Sequence, residues 1–295
     1  MHVFVTGGTG FIGRRLCSRL LEAGHEVTVL SRRPAHEVKR LCGAVGVVDA
    51  VERMPPCDQV VNLAGEPILG PRWSASRKAR LWASRVTLTE RLVAHMAALE
   101  PKPAVLVSGS AVGYYGDRGA EVLTEEARPG VGFGAELCVA WEEAALEAER
   151  LGVRVCLVRT GPVLGPGGLL ARLRLPFRLG LGGPLGDGRQ WFPWIHLEDE
   201  VGLIRFLLDH PTLEGPFNAT APHPVTQRVF ARMLARALHR PAWLSAPAPL
   251  LRLFLGEQAQ ILLGSQRAIP ARLLEAGFEF RFPELETALQ DLLGA

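Results

Sequence analysis

The sequence predicts an α/β protein built on a doubly wound parallel sheet. Apolar runs of strand length alternate with helix-length segments of helical periodicity, which is the rhythm of repeated strand–helix units. A glycine-rich turn, "TGGTGFIG", follows the first strand directly and opens the first helix. Together these two observations indicate a Rossmann-type fold.

The expected elements follow in order along the chain. The predicted strands lie near residues 2–6, 26–30, 45–48, 58–63, 104–108 and 153–159. The predicted helices lie near residues 11–23, 34–42, 74–99 and 134–151. After Thr160 the sequence changes to Gly/Pro-rich loops separated by shorter helical patterns, with a returning strand at 216–219. We therefore expect a nucleotide-binding domain at 1–165 and a smaller substrate lobe at 166–295, with a segment near 197–220 returning to the first domain.

Composition favours a globular protein whose partner is a small molecule. The chain has 295 residues, 33 Lys and Arg against 30 Asp and Glu, and 48% hydrophobic residues. Because these charges nearly balance and are mixed along the chain, we expect neither a nucleic acid nor a membrane as the main partner. Five cysteines without a CxxC pair, and no apolar stretch of about 18 residues, predict a cytoplasmic protein with reduced thiols and no metal site. A homodimer is compatible with this prediction.

The glycine turn is the first candidate ligand site. Glycines at 7, 10 and 13 between a strand and a helix let a backbone approach a pyrophosphate at the helix N-terminus. The predicted cofactor contacts in this turn are Gly7, Thr9, Gly10, Phe11, Ile12 and Gly13. A tight structural turn is the alternative to a dinucleotide site.

The end of the second strand selects among dinucleotides. Enzymes that use NAD usually place an acidic residue there to bind the ribose 2′-hydroxyl, whereas this chain has Ser31, Arg32 and Arg33. Two guanidinium groups attract a 2′-phosphate, so the sequence favours NADP (NADPH), with a solvated arginine pair as the alternative. Asp49, after the third strand, either reaches the adenine or belongs to a plain turn.

Further strand ends complete the predicted cofactor site. Ligands of such sheets lie outside the carboxyl ends of the strands. The candidates at these ends are Leu63, Ala64, Gly65, Ser108, Arg159, Gly161 and Val163.

Several motifs together resemble the extended short-chain dehydrogenases/reductases of the NAD(P)-dependent epimerase/dehydratase kind. They are "TGGTGFIG", "NLAG", "SGSAVGYYG", "RTGPVLGPGG" and "WIHLEDE". The segment "PLGDGRQWFPWIHLED" and the tail "LGEQAQILLGSQRAIPARLLEAGFEFRFPELETAL" are similar to the atypical epimerase-family proteins related to the human short-chain dehydrogenase family 39U member. The resemblance runs from end to end and implies the Rossmann fold, an NAD(P) cofactor and a C-terminal domain.

The resemblance also implies catalytic residues, and one pair is missing. The extended family uses a serine after the fifth strand, which is Ser110 here with Ser108 as a substitute, or else a plain turn serine. The family's tyrosine and the lysine four residues later are replaced by Phe133 and Leu137. Since the only tyrosines are Tyr114 and Tyr115, no YxxxK pair can exist in this chain.

Four side chains are candidates for the missing acid. Tyr114 and Tyr115 follow Ser110 closely, although an aromatic there more often packs. His196 has an imidazole suited to acid–base work, or it serves as a structural residue before an acidic helix turn. Glu136 is the fourth candidate, and a first-turn helix acid is its ordinary role.

A substrate region is predicted beside the cofactor. Its candidates are Glu66, Arg85 and Trp194, with a solvated basic helix face and a packed loop tryptophan as the alternatives. The sequence thus predicts an NADP(H)-dependent oxidoreductase or epimerase acting on an unknown small molecule with a carbonyl or hydroxyl group, such as a nucleotide sugar. The second hypothesis is an NADPH-binding protein without turnover that serves a regulatory or interaction role.

Overall fold

The computed structural model describes residues 1–294. Its strands are β1 (His2–Thr6), β2 (Glu26–Leu30), β3 (Gly46–Val48), β4 (Gln59–Asn62), β5 (Val105–Ala111), β6 (Val122–Leu123), β7 (Arg154–Thr160), β8 (Val163–Leu164), β9 (Trp191–Phe192), β10 (Ile195–His196), β11 (Gly215–Ala219), β12 (Val225–Thr226) and β13 (Arg267–Ala268). Its α-helices are α1 (Phe11–Glu22), α2 (Ala35–Cys42), α3 (Ala75–Trp82), α4 (Leu88–Met96), α5 (Phe133–Leu146), α6 (Gly168–Arg178), α7 (Leu197–Asp209), α8 (Gln227–Ala237), α9 (Ala248–Leu255), α10 (Ala259–Leu263), α11 (Ala271–Glu275) and α12 (Leu285–Leu293).

The central sheet has seven strands in the order β11-β7-β5-β4-β1-β2-β3. Every neighbouring pair in this sheet is parallel. The predicted Rossmann-type doubly wound fold is therefore confirmed. The direction of winding reverses between β1 and β4, and ligands of open α/β sheets bind at the carboxyl edge of such a switch point.

Two apolar layers cover the faces of the sheet. Successive side chains of a strand point to opposite faces, so Val3 and Val5 of β1 join one buried cluster while Phe4 joins the other. The first cluster contains residues of α1 and α7, and the second contains residues of α4 and α5. Burial on both faces explains why the strands are nearly continuous apolar runs.

A third buried cluster organises the C-terminal lobe. It packs Trp194 against Phe230 of α8 and Leu285 of α12, among others. Between parts of this lobe the chain passes through α7 and adds β11 to the edge of the central sheet, where Phe217 pairs in register with Val158. The lobe and the sheet domain thus share chain segments.

The helix expected over 74–99 is interrupted. A turn of π-helix at Ala83–Thr87 separates α3 from α4. Within it, the Ser84 hydroxyl donates to the carbonyl of Leu81 (2.9 Å), and the Thr89 hydroxyl donates to the carbonyl of Arg85 (2.7 Å). Such side-chain bonds compete with the regular helix ladder, and π-turns frequently occur at functional sites. Here the wide turn carries Arg85 at its centre.

Two further observations concern residues 1–294. None of the helices in this range is long and apolar enough to cross a membrane. The same range contains no group of three or more His, Cys, Asp or Glu side chains arranged to hold a metal ion.

Candidate functional site

The glycine turn forms a backbone cradle at the carboxyl end of β1. A Cβ on Gly7 would lie 2.5 Å from the carbonyl oxygen of Leu63, and a Cβ on Gly13 would clash with the carbonyl of Gly7. At Gly10 the nearest atom to a Cβ is the Gly7 oxygen at 3.0 Å. The glycines at 7 and 13 therefore serve close packing, whereas the side of Gly10 that faces the helix N-terminus is open.

The first turn of α1 fits an anion. Gly10 is the N-cap, with no side-chain cap bond, and the first turn holds no acidic residue. The first amide groups of any α-helix lack an intrahelical acceptor, and they point at the open side of this cradle. Thr9, Phe11 and Ile12 are half-buried in and beside this turn.

The side chain of Phe11 links the cradle to a second glycine-rich loop. Cβ atoms on Gly165, Gly167 and Gly168 would approach its ring to 2.6, 3.0 and 3.0 Å. The run "GPGG" after β8 thus lets the chain pass over this ring. Phe11 joins the predicted cofactor turn to the C-terminal lobe.

A cavity of about 450 Å³ opens at the carboxyl ends of β2 and β3. It is lined by Ser31, Arg32, Arg33, Pro34, Ala35, Val47, Val48, Asp49 and Arg53. The Ser31 hydroxyl accepts a bond from the Arg33 amide (3.1 Å), which organises the turn that carries both arginines. Arg32 and Arg33 are exposed, and Arg33 makes only a long contact with Glu37 (3.4 Å), so both guanidiniums are accessible to a phosphate. Asp49 pairs with Arg53 at the rim.

A buried polar network fixes the end of β4. Asn62 accepts from the Thr6 hydroxyl (2.7 Å) and donates to the hydroxyls of Thr89 (2.8 Å) and Ser108 (3.2 Å). The Thr6 hydroxyl in turn accepts the Ala64 amide (3.1 Å), which positions the strand end beside the cradle. Ser108 is fully buried in this network. Its prediction as a substitute for Ser110 is corrected because its hydroxyl is enclosed in this network, whereas its predicted cofactor contact stays a prediction.

Ser110 is hydrogen-bonded to a buried carboxylate that sequence reasoning missed. Its hydroxyl donates to Oε1 of Glu142 at 2.6 Å. Arg159 holds the same carboxylate through two parallel bonds of 2.8 Å, one from Nε to Oε1 and one from Nη2 to Oε2. All three residues are at most 5% exposed. Burial lowers the pKa of Arg159, but the Glu142 carboxylate outweighs it and raises that pKa above its ordinary value.

The guanidinium of Arg159 therefore does not reach a cofactor, and only its backbone is left for the predicted contact. Its Nη1 also donates to the Tyr115 hydroxyl and to the carbonyl of Glu125, both at 3.0 Å. A guanidinium committed in this way has its donors directed into the protein. It stabilises the charge of Glu142 and so the acceptor of the Ser110 proton.

The two adjacent tyrosines have different environments. Tyr115 is fully buried, its hydroxyl donates to Asn218 (2.6 Å), and burial raises its pKa to about 12. Its prediction as a catalytic acid is corrected because its proton is already used. Tyr114 is half-buried and lies with its ring face 3.6 Å from the Arg159 guanidinium. Of the two, only Tyr114 has access to the site.

A second cation borders the site from the π-turn. Arg85 donates to the carbonyl of Glu66 (2.9 Å) and lies 5.3 Å over the Trp141 ring. Its guanidinium is close enough to Gly65 that a Cβ there would lie 2.9 Å from Cζ. Burial lowers the pKa of Arg85. The guanidinium of Arg85 therefore lies at the end of β4, where the sequence predicts a substrate region.

Cys138 and Glu66 complete the surroundings. Cys138 lies on the same face of α5 as Glu142, and burial, reinforced by the Glu142 charge, raises its pKa to about 12, so its thiol is neutral. Glu66 forms a short ion pair with Arg77, which also donates to the carbonyl of Pro67. Glu66 therefore anchors the segment after β4, and its carboxylate is already paired.

The positions of the missing tyrosine and lysine belong to the core. Phe133 and Leu137 are buried in a cluster with Leu81, Val86 and Trp141. Glu136, the first-turn acid of α5, is exposed. The usual proton donor of the family has thus been replaced by apolar packing.

His196 and Trp194 do not reach the site, which corrects both predictions. His196 caps α7, its Nδ1 accepting the Glu198 amide at 3.1 Å, and its ring stacks on Phe282 with centroids 3.9 Å apart. Burial lowers its pKa, against an opposing effect of Asp291. Trp194 is fully buried in the core of the lobe. An N-cap imidazole that accepts through Nδ1 and is shut off from solvent cannot exchange protons with a substrate.

The remaining strand-end candidates also pack closely, and their cofactor contacts stay predictions. A Cβ on Gly161 would clash with the carbonyl of Pro193, so this glycine permits close packing of two loops. Val163 is half-buried and pairs with Ile195 between β8 and β10. Both shape the wall behind the site.

Comparisons with known proteins identify the family of this chain. Residues 3–220 match the NAD dependent epimerase/dehydratase family. The chain belongs to this family. Residues 246–292 match a domain of unknown function, DUF1731.

Close relatives extend over the whole chain. The chain is 42% identical over 303 residues to the chloroplastic SDR39U1 homolog of Arabidopsis thaliana, with 99% of this chain and 87% of that protein covered. It is 39% identical over 302 residues to mouse SDR39U1, covering 99% of this chain and all of that protein.

Among solved structures, human SDR39U1 with NADPH superposes with a TM-score of 0.91 at 36% identity, covering 100% of this chain and 99% of that one. A nucleoside-diphosphate sugar epimerase from Corynebacterium glutamicum superposes with a TM-score of 0.81 at 33% identity, covering 100% of this chain and 58% of that one.

Proposed function

We propose that this chain is an NADP(H)-dependent oxidoreductase or epimerase-like enzyme that acts on a carbonyl or hydroxyl group of a small molecule. The observation that carries the proposal is the Ser110 hydroxyl bonded to a buried, arginine-held carboxylate beside the predicted cofactor edge. The NADPH of the human relative and the sugar-nucleotide name of the bacterial one support this class of cofactor and substrate.

The residues present fit such a cofactor. The open side of Gly10 and the first amides of α1 suit the pyrophosphate, and Arg32 and Arg33 suit a 2′-phosphate in the cavity beside β2. When bound, NADP(H) supplies or accepts the hydride.

This chain's own groups then handle the proton. Because Ser110 already donates to Glu142, its Oγ presents only lone pairs to the site and accepts the proton of a substrate hydroxyl. As that proton arrives, the original Ser110 proton passes to Oε1 of Glu142, and the reverse order returns it. Because the family's tyrosine and lysine are replaced here by Phe133 and Leu137, we expect turnover below the ordinary range of roughly 1–10³ s⁻¹.

Kinetics of designed variants test this mechanism. We expect Ser110→Ala, which leaves the Arg159–Glu142 pair intact, to lower turnover by roughly 10²-fold without changing NADPH affinity. Glu142→Gln should have the same effect, whereas Tyr114→Phe and the control His196→Asn should retain most activity. The measurement is NADPH oxidation over a panel of carbonyl compounds and nucleotide sugars at several pH values. Full activity of Ser110→Ala would contradict the mechanism.

A cofactor-binding protein without turnover is the second candidate. It is favoured by the apolar packing of Phe133 and Leu137 where the family has its proton donor. Tight NADPH binding by the wild type with no turnover on any compound of the panel would support it. The small-molecule partner, the absence of nucleic-acid partners, the homodimer and the cytoplasmic location stay predictions.

A further inference from the structure

One surface of the C-terminal lobe exposes large apolar side chains. We call it the lobe face and define it by residues 172–181, 240–244 and 250–254. Its most exposed side chains are Trp243 (87%), Phe254 (70%), Leu175 (65%) and Leu253 (65%). Patches of this kind mark interaction sites more often than isolated exposed residues do.

The three segments lie side by side. Arg240 donates from Nε to the carbonyl of Arg178 at 3.0 Å, which ties the second segment to the end of α6. The Ala246 amide donates to the carbonyl of Pro184 (2.9 Å), and the chain enters α9 directly afterwards. The three segments are therefore neighbours in this lobe, and each exposes apolar side chains.

Helix α9 presents its apolar stripe outward. Leu250, Leu253 and Phe254 have the i, i+3, i+4 spacing of one helix face, and all three are exposed. Leu251 and Leu255, on the other side, are only half-buried, and none of the residues of this helix is fully buried. The stripe is thus available for a partner.

The two stretches of chain that contain the lobe face carry basic side chains and no acidic ones. Residues 168–186 and 239–256 contain no Asp or Glu. Five exposed arginines lie in these segments, at positions 172, 174, 178, 240 and 252. The near balance of charge over the whole chain therefore conceals a concentration of arginine in these two segments.

We propose that the lobe face docks on an anionic lipid bilayer as a peripheral contact. Arginine beside exposed Trp, Phe and Leu is the composition of interfacial membrane-binding surfaces, which combine apolar insertion with attraction to acidic headgroups. A second copy of this chain fits less well, because a symmetric contact would bring like charges together. The proposal departs from the expectation of no membrane partner, which rested on charges that nearly balance and are mixed along the chain.

Co-sedimentation with vesicles tests the proposal. We expect binding to vesicles of equal parts phosphatidylglycerol and phosphatidylcholine, no binding to phosphatidylcholine alone, and weakening as salt rises. The double variant Trp243→Ser/Phe254→Ser should lose at least tenfold in affinity, and Arg174→Gln about fivefold. The matched controls Val131→Ser and Arg91→Gln change an exposed apolar and an exposed basic residue elsewhere, and should bind normally.

Each outcome bears on the proposal. Failure of the wild type to bind the anionic vesicles, or unchanged binding by the double variant, would overturn it. So would sedimentation of the lipid-free protein as a dimer that Trp243→Ser/Phe254→Ser dissociates, because a second copy would then cover the face. NADPH binding by the double variant shows that this variant is folded. Failure of the membrane proposal is therefore distinguishable from failure of the enzymatic proposal.

Discussion

At the residue scale, Arg32 and Arg33 are the side chains placed to distinguish NADPH from NADH, because only NADPH carries a 2′-phosphate. We expect NADPH to bind at least roughly tenfold more tightly than NADH, since charge-assisted bonds to phosphate are strong even after discounting for exposure. Arg32→Asp/Arg33→Ser should remove this preference, while Arg91→Gln should not. Isothermal titration calorimetry measures the affinity of each variant for NADPH and NADH. Equal affinities for the two cofactors in the wild type would remove the basis for the NADP assignment.

Neighbouring glutamates show how surroundings decide a residue's role. Glu142 is buried against Ser110 and Arg159, whereas Glu143, the next residue of α5, is exposed. Removing one partner of a buried pair leaves the other charge uncompensated, at a cost of about 3–5 kcal/mol. For this reason Ser110→Ala is the cleaner kinetic test, and Glu142→Gln needs a parallel measurement of stability.

At the scale of elements, the glycines around the start of α1 have different roles. Gly13 permits close packing, whereas Gly10 leaves space for a ligand. Gly10→Val should leave the protein folded, because Gly10 has a φ of −75° and a Cβ there meets only one atom within 4 Å, at 3.0 Å. Its branched side chain should nevertheless block the pyrophosphate and abolish NADPH binding. Gly13→Ala should instead destabilise the fold, and Gly70→Ala, at an open position, is the control. Thermal melts with and without NADPH report both effects, and stabilisation of Gly10→Val by NADPH would show that the turn is only structural.

A buried glutamate of α7, bonded to β7, makes the free energy of unfolding depend on pH. Glu200 is fully buried, burial raises its pKa to about 8, and it accepts one bond from Thr160 (2.9 Å). Its Oε2 has no partner among the residues that the structure describes. Because the folded state holds this proton more tightly than the unfolded chain, the stabilisation is complete below about pH 4.5 and is lost as pH rises toward 8.

Glu200→Gln reproduces the protonated form at every pH. We expect it to match the wild type near pH 4.5 and to exceed it at pH 8 by roughly 4 kcal/mol in free energy of unfolding. Urea unfolding at the two pH values measures this, with the exposed Glu149→Gln as the control. Equal pH dependence of wild type and Glu200→Gln would contradict the assignment.

At the scale of the whole molecule, the C-terminal lobe is tied to the sheet domain at several points. Asp199 at the start of α7 accepts the amides of Arg281 (2.7 Å) and Phe282 (3.0 Å), and Phe11 lies under the loop at 165–168. We therefore expect one cooperative thermal transition. NADPH at about one hundred times its Kd should add about 2.7 kcal/mol to the whole chain. Calorimetry decides, and two separate transitions with only one shifted by NADPH would show that the lobes unfold independently.

Local sequence pattern was sufficient to predict the sheet architecture and the position of the glycine turn. The alternation of apolar runs and periodic segments predicted the doubly wound sheet, and the positions of the glycines and of Arg32 and Arg33 predicted a dinucleotide turn. These features are readable because strand periodicity, turn conformation and the residue after β2 depend on neighbours in the chain. The absence of a YxxxK pair also follows from the sequence alone.

Only the tertiary structure decided which polar residues share the site. Ser110 and Glu142 are 32 positions apart and Tyr115 and Asn218 are 103 apart, yet each pair is joined by a bond of 2.6 Å. His196, Trp194 and Arg159 have chemistry suited to a site but are buried by contacts with Asp291, the lobe core and Glu142. The physical reason is that a side chain's proton affinity and access depend on burial and on partners brought together by folding, and no local pattern contains those partners.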